Sequence, residues 1–219
     1  MRTVRYTTNE FEERTTLPVT SRPSKVLIVG DSVAAGAGVN DGDTVASHLQ
    51  RRDSERQFVN LGITGADTNT GFCAATRGAQ RYRGQVGALV YIWCENDFDS
   101  DPPDRTPAAA MAWLDTLAKA NGIPGVLVVY SPYIYNVAPE VTRIAGFSDG
   151  QATYLEQSNL LKAAALDRGF LFVNIADVVH TVRVQTDSHF APLAMYLDSA
   201  HLSNYGSDLV AQEIARRLP

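Results

Sequence analysis

The sequence predicts one α/β domain built on a parallel sheet of five strands. Its 219 residues suit a single domain of this class, and short apolar runs alternate along the chain with longer amphipathic stretches. Strands that alternate with helices are joined by helical crossovers, so they lie parallel and helices cover both faces of the sheet. We therefore expect a three-layer sandwich with one layer of helices on each side of the sheet.

The predicted strands are brief, rich in β-branched or aromatic residues, and bounded by Gly, Pro, Asn or Asp. They run from Val26 to Val29, Gln57 to Leu61, Ala88 to Trp93, Gly125 to Tyr130, and Phe170 to Ile175. In a sheet of this kind, ligands bind beyond the carboxyl ends of the strands. The residues that directly follow each strand are therefore the first candidates for chemistry.

Amphipathic spacing predicts helices between the strands and at the end of the chain. They run from Val45 to Arg52, Thr68 to about Gln80, Pro107 to Asn121, Tyr154 to Asp167, and Ser203 to Leu218. Two longer connections, Ser131 to Gly150 and Asp177 to Leu197, are predicted to be loops that overhang the functional site.

Residues 1–24 differ from the rest of the chain, because they are polar, rich in threonine and end in Ser-Arg-Pro-Ser. They are predicted to form an arm, an edge strand or a disordered lead. The domain itself is expected to span residues 25–219.

The amino-acid composition argues against several kinds of binding partner and structural site. The net charge of -5 argues against nucleic acid or an anionic membrane as the main partner. Cys73 and Cys94 are too few for a disulfide framework or a structural zinc site. The first residues lack the apolar stretch of a signal peptide, and no run approaches the ~18 apolar residues of a membrane span. A cytoplasmic protein is the expectation, while its oligomeric state has no signature in the sequence.

The segment that follows the first predicted strand carries a candidate nucleophile. Ser32 lies on a turn opened by Gly30, at the carboxyl edge of the sheet. The alternative is that Asp31 or Ser32 only caps the next helix. A phosphate-binding turn is excluded by spacing, since no glycine stands two positions after Gly30 and no Gly-Lys-Ser/Thr follows.

A candidate base lies before the last helix, in the segment Asp198-Ser199-Ala200-His201. A serine hydroxyl becomes a good nucleophile when a base takes its proton, and that base works best when a carboxylate fixes its tautomer. Asp198 and His201 on one turn can face the same side, so that His201 accepts the proton of Ser32 while Asp198 holds the other ring nitrogen. The alternative is a histidine that caps or solvates the last helix.

Four segments together resemble the four blocks of the SGNH (GDSL-like) hydrolase family. They are Gly30-Asp31-Ser32, Asn60 to Gly65, Glu95-Asn96-Asp97, and Asp198-x-x-His201, in the order of the family and covering the chain from about residue 26 to its end. The resemblance implies a flavodoxin-like SGNH hydrolase fold and a serine esterase that needs no metal or organic cofactor. By this resemblance Ser32, Asp198 and His201 form the catalytic triad.

The same resemblance assigns an oxyanion hole to the amides of Ser32 and Gly65 and to the side chain of Asn96. Because these residues follow three different strands, they should converge at one edge of the sheet. The alternatives are that Gly65 is an ordinary turn glycine and Asn96-Asp97 an ordinary strand terminator.

One position departs from the family pattern. The third block usually carries a glycine two positions before its asparagine, where this chain has Cys94, followed by Glu95. A carboxylate aimed at the oxyanion would oppose catalysis, so we expect Glu95 to face away and bond to a loop or an arginine. Cys94 is expected to be a small buried thiol.

The resulting hypothesis is a carboxylic ester hydrolase that forms an acyl-enzyme on Ser32. The substrate is expected to be a short-chain ester, with acetyl as the favoured acyl group, on a small polar or carbohydrate-like molecule. The alternatives are an acyltransferase or thioesterase with the same triad, or a non-catalytic binding module on this fold.

Residues predicted to lie near the substrate are aromatic or polar, a mixture that suits stacking on a sugar ring and bonding its hydroxyls. Those assigned to substrate binding are Phe72, Phe98, Tyr133 and Tyr135, with Tyr196, Arg143, Arg183, His180 and His189 as further candidates. The alternative for each aromatic ring is simple packing. His48 is expected on the solvated face of its helix.

Overall fold

The computed structural model describes residues 3–100, 106–138, 151–188 and 190–218. At its centre lies a sheet of five parallel strands in the order β2-β1-β3-β4-β5. The strands are β1 (Ser24–Gly30), β2 (Arg56–Asn60), β3 (Val86–Cys94), β4 (Gly125–Ser131) and β5 (Leu171–Asn174). The predicted parallel sheet is confirmed, and the strand order is the flavodoxin-like one, with its topological switch point between β1 and β3.

Helices connect the strands and cover both faces of the sheet. In the described ranges they are α1 (Ser32–Ala35), α2 (Val45–Arg52), α3 (Thr68–Arg81), α4 (Asn96–Ser100), α5 (Pro107–Asn121), α6 (Ile134–Val137), α7 (Gln151–Leu166), α8 (Ile175–Thr186) and α9 (Asn204–Arg217). Two 3-10 helices span Asp41–Asp43 and Ala191–Met195.

Alternation along the strands divides the interior into two cores. In β1, Val26 and Ile28 pack with α2, α8 and α9, whereas Leu27 and Val29 pack with α3, α5 and α7. Successive side chains of a strand point to opposite faces, so a strand covered on both sides reads as a continuous apolar run. This is why the strands were recognisable from the sequence.

Helix starts coincide with side chains that cap them. Thr44 accepts a hydrogen bond from the Ser47 amide at the start of α2, Asp67 from Thr70 at α3, and Ser203 from Gly206 at α9. Each cap satisfies a backbone donor that has no partner within its helix. The helices on either side of the sheet are therefore locally encoded.

The predicted loop from Asp177 to Leu197 is wrong over its first half, where the chain forms α8. The Asn174 side chain caps this helix by accepting from the Ala176 amide. Ile175, Val179 and Val182 are buried at spacings of four and three residues, which is a helical period. The apolar period of this segment therefore indicates a helix.

His48 is buried rather than solvated, which corrects the expectation for α2. Its Nε2 atom lies 2.9 Å from Asn204 Oδ1, and its Nδ1 atom lies 2.7 Å from Asp208 Oδ1. Burial lowers the pKa of His48. The histidine is covered because α2 packs against α9, a contact between helices far apart in the sequence.

The N-terminal segment lies against the domain. Arg14 forms an isolated antiparallel bridge with Asn60 at the end of β2, and another with Thr8 inside the segment. Glu13 accepts hydrogen bonds from Tyr82 Oη and from Arg81. Residues 3–23, called the arm below, therefore run along the β2 side of the sheet and contact α3.

Candidate active site

The turn after β1 presents Ser32 at the carboxyl edge of the sheet. Gly30 has a φ of +148°, and a Cβ at this position would lie 2.3 Å from the carbonyl oxygen of Ile92. Only glycine permits this approach to β3. Asp31 then caps α1 by accepting from the Val33 amide at 2.9 Å, and Ser32 is the first residue of that helix. The capping interpretation thus holds for Asp31, and the hydroxyl of Ser32 is left for other partners.

The structure brings Ser32, His201 and Asp198 together. His201 Nε2 lies 2.9 Å from Ser32 Oγ, and His201 Nδ1 lies 2.8 Å from Asp198 Oδ2. If Asp198 is ionised, it accepts the Nδ1 proton and leaves the lone pair of Nε2 directed at the serine hydroxyl. The arrangement can therefore take a proton from Ser32.

Asp198 also holds the turn on which His201 lies. Its Oδ1 atom accepts hydrogen bonds from the amides of Ala200 and His201 at 2.9 and 2.8 Å. Partial burial acts to raise the pKa of Asp198, but these bonds and the one from the His201 ring outweigh burial and lower it. The carboxylate is thus ionised at neutral pH. Its side chain is 53% exposed.

Asp31 directly precedes Ser32 and is almost completely buried. Its Oδ2 atom is 3.4 Å from Ser32 Oγ, and its carboxylate accepts a hydrogen bond from the Asn96 side chain. Burial raises the pKa of Asp31, and the hydrogen bonds and the proximity of His201 offset only part of this rise. The sequence identified Asp31 only as a helix cap, because its contact with Asn96 joins two different strand ends.

Asn96 and Gly65 both lie near the same edge. Asn96 begins α4 directly after β3, and its Oδ1 atom has no hydrogen-bond partner among the described residues. Its amide nitrogen bonds to Asp31, which leaves one N–H of that group for another acceptor. Gly65 lies on an exposed turn after β2 with a φ of +77°.

The turn that carries Gly65 is packed against helix α1, which begins with Ser32. A Cβ on Gly62 would lie 2.1 Å from the Ala35 amide nitrogen, and the Ile63 amide donates to the Gly30 carbonyl. The close contact requires glycine at position 62. The two segments after β1 and β2 are therefore in direct contact.

Glu95 faces away from Ser32, as expected from the sequence. Its carboxylate accepts a hydrogen bond from the Tyr133 amide at 2.8 Å and another from the Asn136 side chain. These partners belong to the loop after β4 and to α6 rather than to an arginine. Glu95 therefore holds the chain beside the site.

Cys94 is the last residue of β3 and is buried in the core on the α2 and α9 side. Burial raises the pKa of its thiol well above the ordinary value, and the nearby Asp31 and Asp97 act in the same direction. Such a thiol is a poor nucleophile. Asp97 accepts from the Cys94 amide at 3.0 Å and closes the turn after β3, which fits the strand-terminator alternative for this residue.

The predicted substrate residues fall into different places. Phe72 is 4% exposed and stacks on Trp113, with ring centroids 4.0 Å apart. It belongs to the core between α3 and α5, so its assignment to substrate binding is corrected. Its spacing within a helix could not show which face of that helix is covered.

Tyr133 and Tyr135 lie near the turn from Asp198 to His201. Their rings are 5.1 Å apart, and the amide of Ile134 between them donates to the Ser199 carbonyl. Tyr196 is buried, with its hydroxyl donating to the Pro132 carbonyl. The loop after β4 thus contacts the Asp198–His201 turn directly.

The remaining candidates are distributed as follows. Phe98 is half-buried and packs edge-on against Tyr130. His180 and Arg183 lie on α8, where they line a cavity of about 460 Å³ that contains no triad residue. Arg143 and His189 lie outside the described residues.

The described residues hold no group of three His, Cys, Asp or Glu side chains arranged to bind a metal ion. Within the same ranges, none of the helices combines the length and apolar character that a membrane crossing requires.

Comparison with solved structures shows the class of fold. A member of the lipolytic G-D-S-L family from Veillonella parvula matches with a TM-score of 0.64 at 14% identity, over 89% of this chain and 97% of its own. A protein of Slackia heliotrinireducens assigned to the SGNH hydrolases matches with a TM-score of 0.60 at 18% identity, over 90% and 99%. A carbohydrate acetylesterase from Sinorhizobium meliloti matches with a TM-score of 0.57 at 17% identity, over 89% and 97%.

The chain therefore has the fold of the SGNH and G-D-S-L hydrolases, as the motif order predicted. Neither the family models nor the curated proteins compared with the sequence gave a match.

Proposed function

We propose that this chain is a serine esterase of the SGNH hydrolase family, with Ser32 as nucleophile. The observation that carries the proposal is the continuous contact from Ser32 Oγ through His201 to Asp198, with distances of 2.9 and 2.8 Å. A hydroxyl, an imidazole and a carboxylate in this order activate serine for attack on a carbonyl carbon.

The reaction would proceed in two halves. Ser32 Oγ attacks the ester carbonyl while His201 takes its proton, and the tetrahedral intermediate then expels the alcohol, which receives that proton from His201. Water next attacks the acyl-serine with His201 again as base, and collapse releases the acid and restores the Ser32 hydroxyl. Asp198 stabilises the imidazolium formed in each half.

The negative oxygen of each intermediate would be held by the amides of Ser32 and Gly65 and by the Asn96 side chain. The free N–H of Asn96 and the carboxyl-end location of all three residues support this assignment. The bond from Asn96 to Asp31 would orient the carboxamide without using the donor that the oxyanion needs.

We further propose a short acyl group, acetyl, on a small polar or carbohydrate-like molecule as the substrate. Tyr133 and Tyr135 support this, since they lie beside the turn from Asp198 to His201 and aromatic rings stack well on sugar rings. The carbohydrate acetylesterase from Sinorhizobium meliloti has the same fold.

Reaction with a fluorophosphonate ester tests the proposal. Wild-type protein should gain one covalent phosphonyl group located on Ser32 by peptide mass spectrometry, and Ser32→Ala should gain none. Ser203→Ala is the matched control, because the Ser203 hydroxyl bonds backbone groups, accepting from the Gly206 amide and donating to the Ala194 carbonyl, and it should be labelled like the wild type. Absence of labelling in folded wild-type protein would exclude a serine hydrolase and favour a binding module.

A series of p-nitrophenyl esters from acetate to palmitate tests the acyl group. We expect kcat/KM to be highest for acetate or butyrate, with acetylated sugars also hydrolysed. A value that climbs steadily beyond octanoate would contradict the short-acyl proposal.

A further inference from the structure

A charged side chain of the arm is buried beneath the nucleophile helix. The side chain of Arg14 is 0% exposed, which is rare for arginine because removing a charge from water is costly. Such a group persists where its donors are satisfied and its charge is paired. Its partners therefore show what it holds.

Three of these partners are backbone carbonyls at the end of α1 and in the segment that follows it. Arg14 Nη1 donates to the carbonyls of Ala35 and Gly36, and Nη2 donates to the carbonyl of Val39 at 2.6 Å. The last carbonyls of a helix have no partner within it. The planar guanidinium group of Arg14 thus binds both the end of α1 and the segment that follows it.

The charge of Arg14 is met by one carboxylate. Asp41 Oδ1 lies 3.3 Å from Arg14 Nε, and Thr7 donates to Asp41 through its amide and hydroxyl. The ring of Tyr6 packs on the guanidinium, with its centroid 4.2 Å from Cζ. The arm and the segment after α1 therefore form one packed unit around this side chain.

The held segment is the one that carries Ser32. Helix α1 has only four residues and begins with Ser32, whose carbonyl accepts from the Ala37 amide at 2.9 Å. On its other side, Ala35 is in contact with Gly62. A displacement of Ala35 would thus move both Ser32 and the turn that leads to Gly65.

We propose that Arg14 is a positioning residue for catalysis, which fixes the end of α1 so that Ser32 Oγ stays within reach of His201 and of the oxyanion donors. This rests on the proposed function. Reacting groups must be held within about 0.5 Å of productive geometry, and an error near 1 Å can cost about 10² in rate. No substrate contact by Arg14 is involved.

The test uses Arg14→Lys and Arg14→Met in the full chain. Lysine keeps the charge but cannot present a planar fork to three carbonyls, and methionine keeps much of the stem without donors. We expect kcat to fall about 10- to 100-fold with KM within about twofold, and phosphonate labelling of Ser32 to slow by the same factor. A third variant, Arg14→Ala, leaves room for an added ion, and millimolar guanidinium should partly restore its labelling rate.

Glu13→Gln is the matched control, because Glu13 is a buried arm residue whose side-chain partners are Asn9 within the arm, Arg81 on α3 and Tyr82 just after it. It should lower the thermal midpoint of unfolding without lowering kcat or the labelling rate. Unchanged labelling in folded Arg14→Lys and Arg14→Met overturns the inference. An equal loss of kcat in Glu13→Gln also overturns it, since arm docking in general would then be responsible.

The folded state of each variant is read from its circular dichroism spectrum and thermal midpoint. If Arg14→Met does not fold, Arg14→Lys and the guanidinium rescue decide. Failure of wild-type labelling refutes the proposed esterase, whereas wild-type labelling with unaffected Arg14 variants refutes only the role of Arg14.

Discussion

The Nε2 atom of His201 lies 2.9 Å from the Oγ atom of Ser32, although the two residues are 169 positions apart in the chain. The contact joins the turn after the first strand to the turn before the last helix. It exists because β1 lies inside the sheet, between β2 and β3, and α9 packs on α2, which lies between β1 and β2 in the chain.

Ser32→Ala and His201→Ala should each remove nearly all esterase activity, because the nucleophile and its base act as one unit. The loss can reach about 10⁶-fold in kcat. Steady-state hydrolysis of p-nitrophenyl acetate measures it, with circular dichroism as the check on folding. Full turnover by Ser32→Ala would place the nucleophile elsewhere.

Asp198→Asn should lower kcat by about 10²- to 10⁴-fold, since an amide no longer favours the tautomer in which Nε2 is free. The fold should persist, because an asparagine Oδ1 can still accept from the Ala200 and His201 amides. The thermal midpoint and kcat are measured together. A full loss of folding, rather than of rate, would mean that Asp198 mainly supports the turn.

Asn96→Ala should lower kcat by about 10²- to 10³-fold with little change in KM, because the bond to the oxyanion forms mainly in the transition state. Both constants are obtained from one saturation curve on an acetate ester. A rise in KM alone would show instead that Asn96 binds the ground-state substrate.

Asp31→Asn should stabilise the protein more at neutral pH than at pH 4. Burial raises the pKa of Asp31 in the folded state above its usual value of 3.8. At a pH between the usual pKa and the raised pKa, the folded state therefore binds more protons than the unfolded state. The wild type therefore loses stability as the pH rises through this window, whereas a neutral asparagine does not. The difference in thermal midpoint between variant and wild type, measured from pH 4 to pH 7, should grow with pH, and a constant difference would contradict the prediction.

Cys94→Gly should keep esterase activity within about threefold while lowering the free energy of unfolding by about 1–3 kcal/mol, since it removes a buried side chain and places glycine in a strand. Cys94 is 1% exposed at the end of β3, which makes the loss of packing real. Urea unfolding measures the stability, with Cys94→Ala as the smaller change. Complete inactivation of a folded Cys94→Gly protein would reveal a role for the thiol.

Short sequence patterns determine most of the strands and the starts of several helices. Buried strands such as Val26 to Val29 are continuous apolar runs, and Thr44, Asp67 and Ser203 mark helix starts within three residues of the donors that they cap. The candidate nucleophile and the Asp-x-x-His pair were recognisable for the same reason, because each is a short motif at a strand end or helix start. The apolar period of residues 175–186 also indicates α8, although a loop was predicted over most of this range.

Contacts between distant segments could be found only in the folded chain. Phe72 and His48 each lie on a predicted helix, but α5 covers the first and α9 the second, and helix periodicity alone does not identify the partner. Arg14 belongs to a polar segment without apolar period, and its burial depends on carbonyls at the end of α1 and in the segment after it, 21 to 25 positions later. Amino-acid order thus specifies which elements form, whereas side-chain burial and the alignment of Ser32 arise from packing between elements, because a backbone carbonyl or a helix face acquires its partner only when the sheet is assembled.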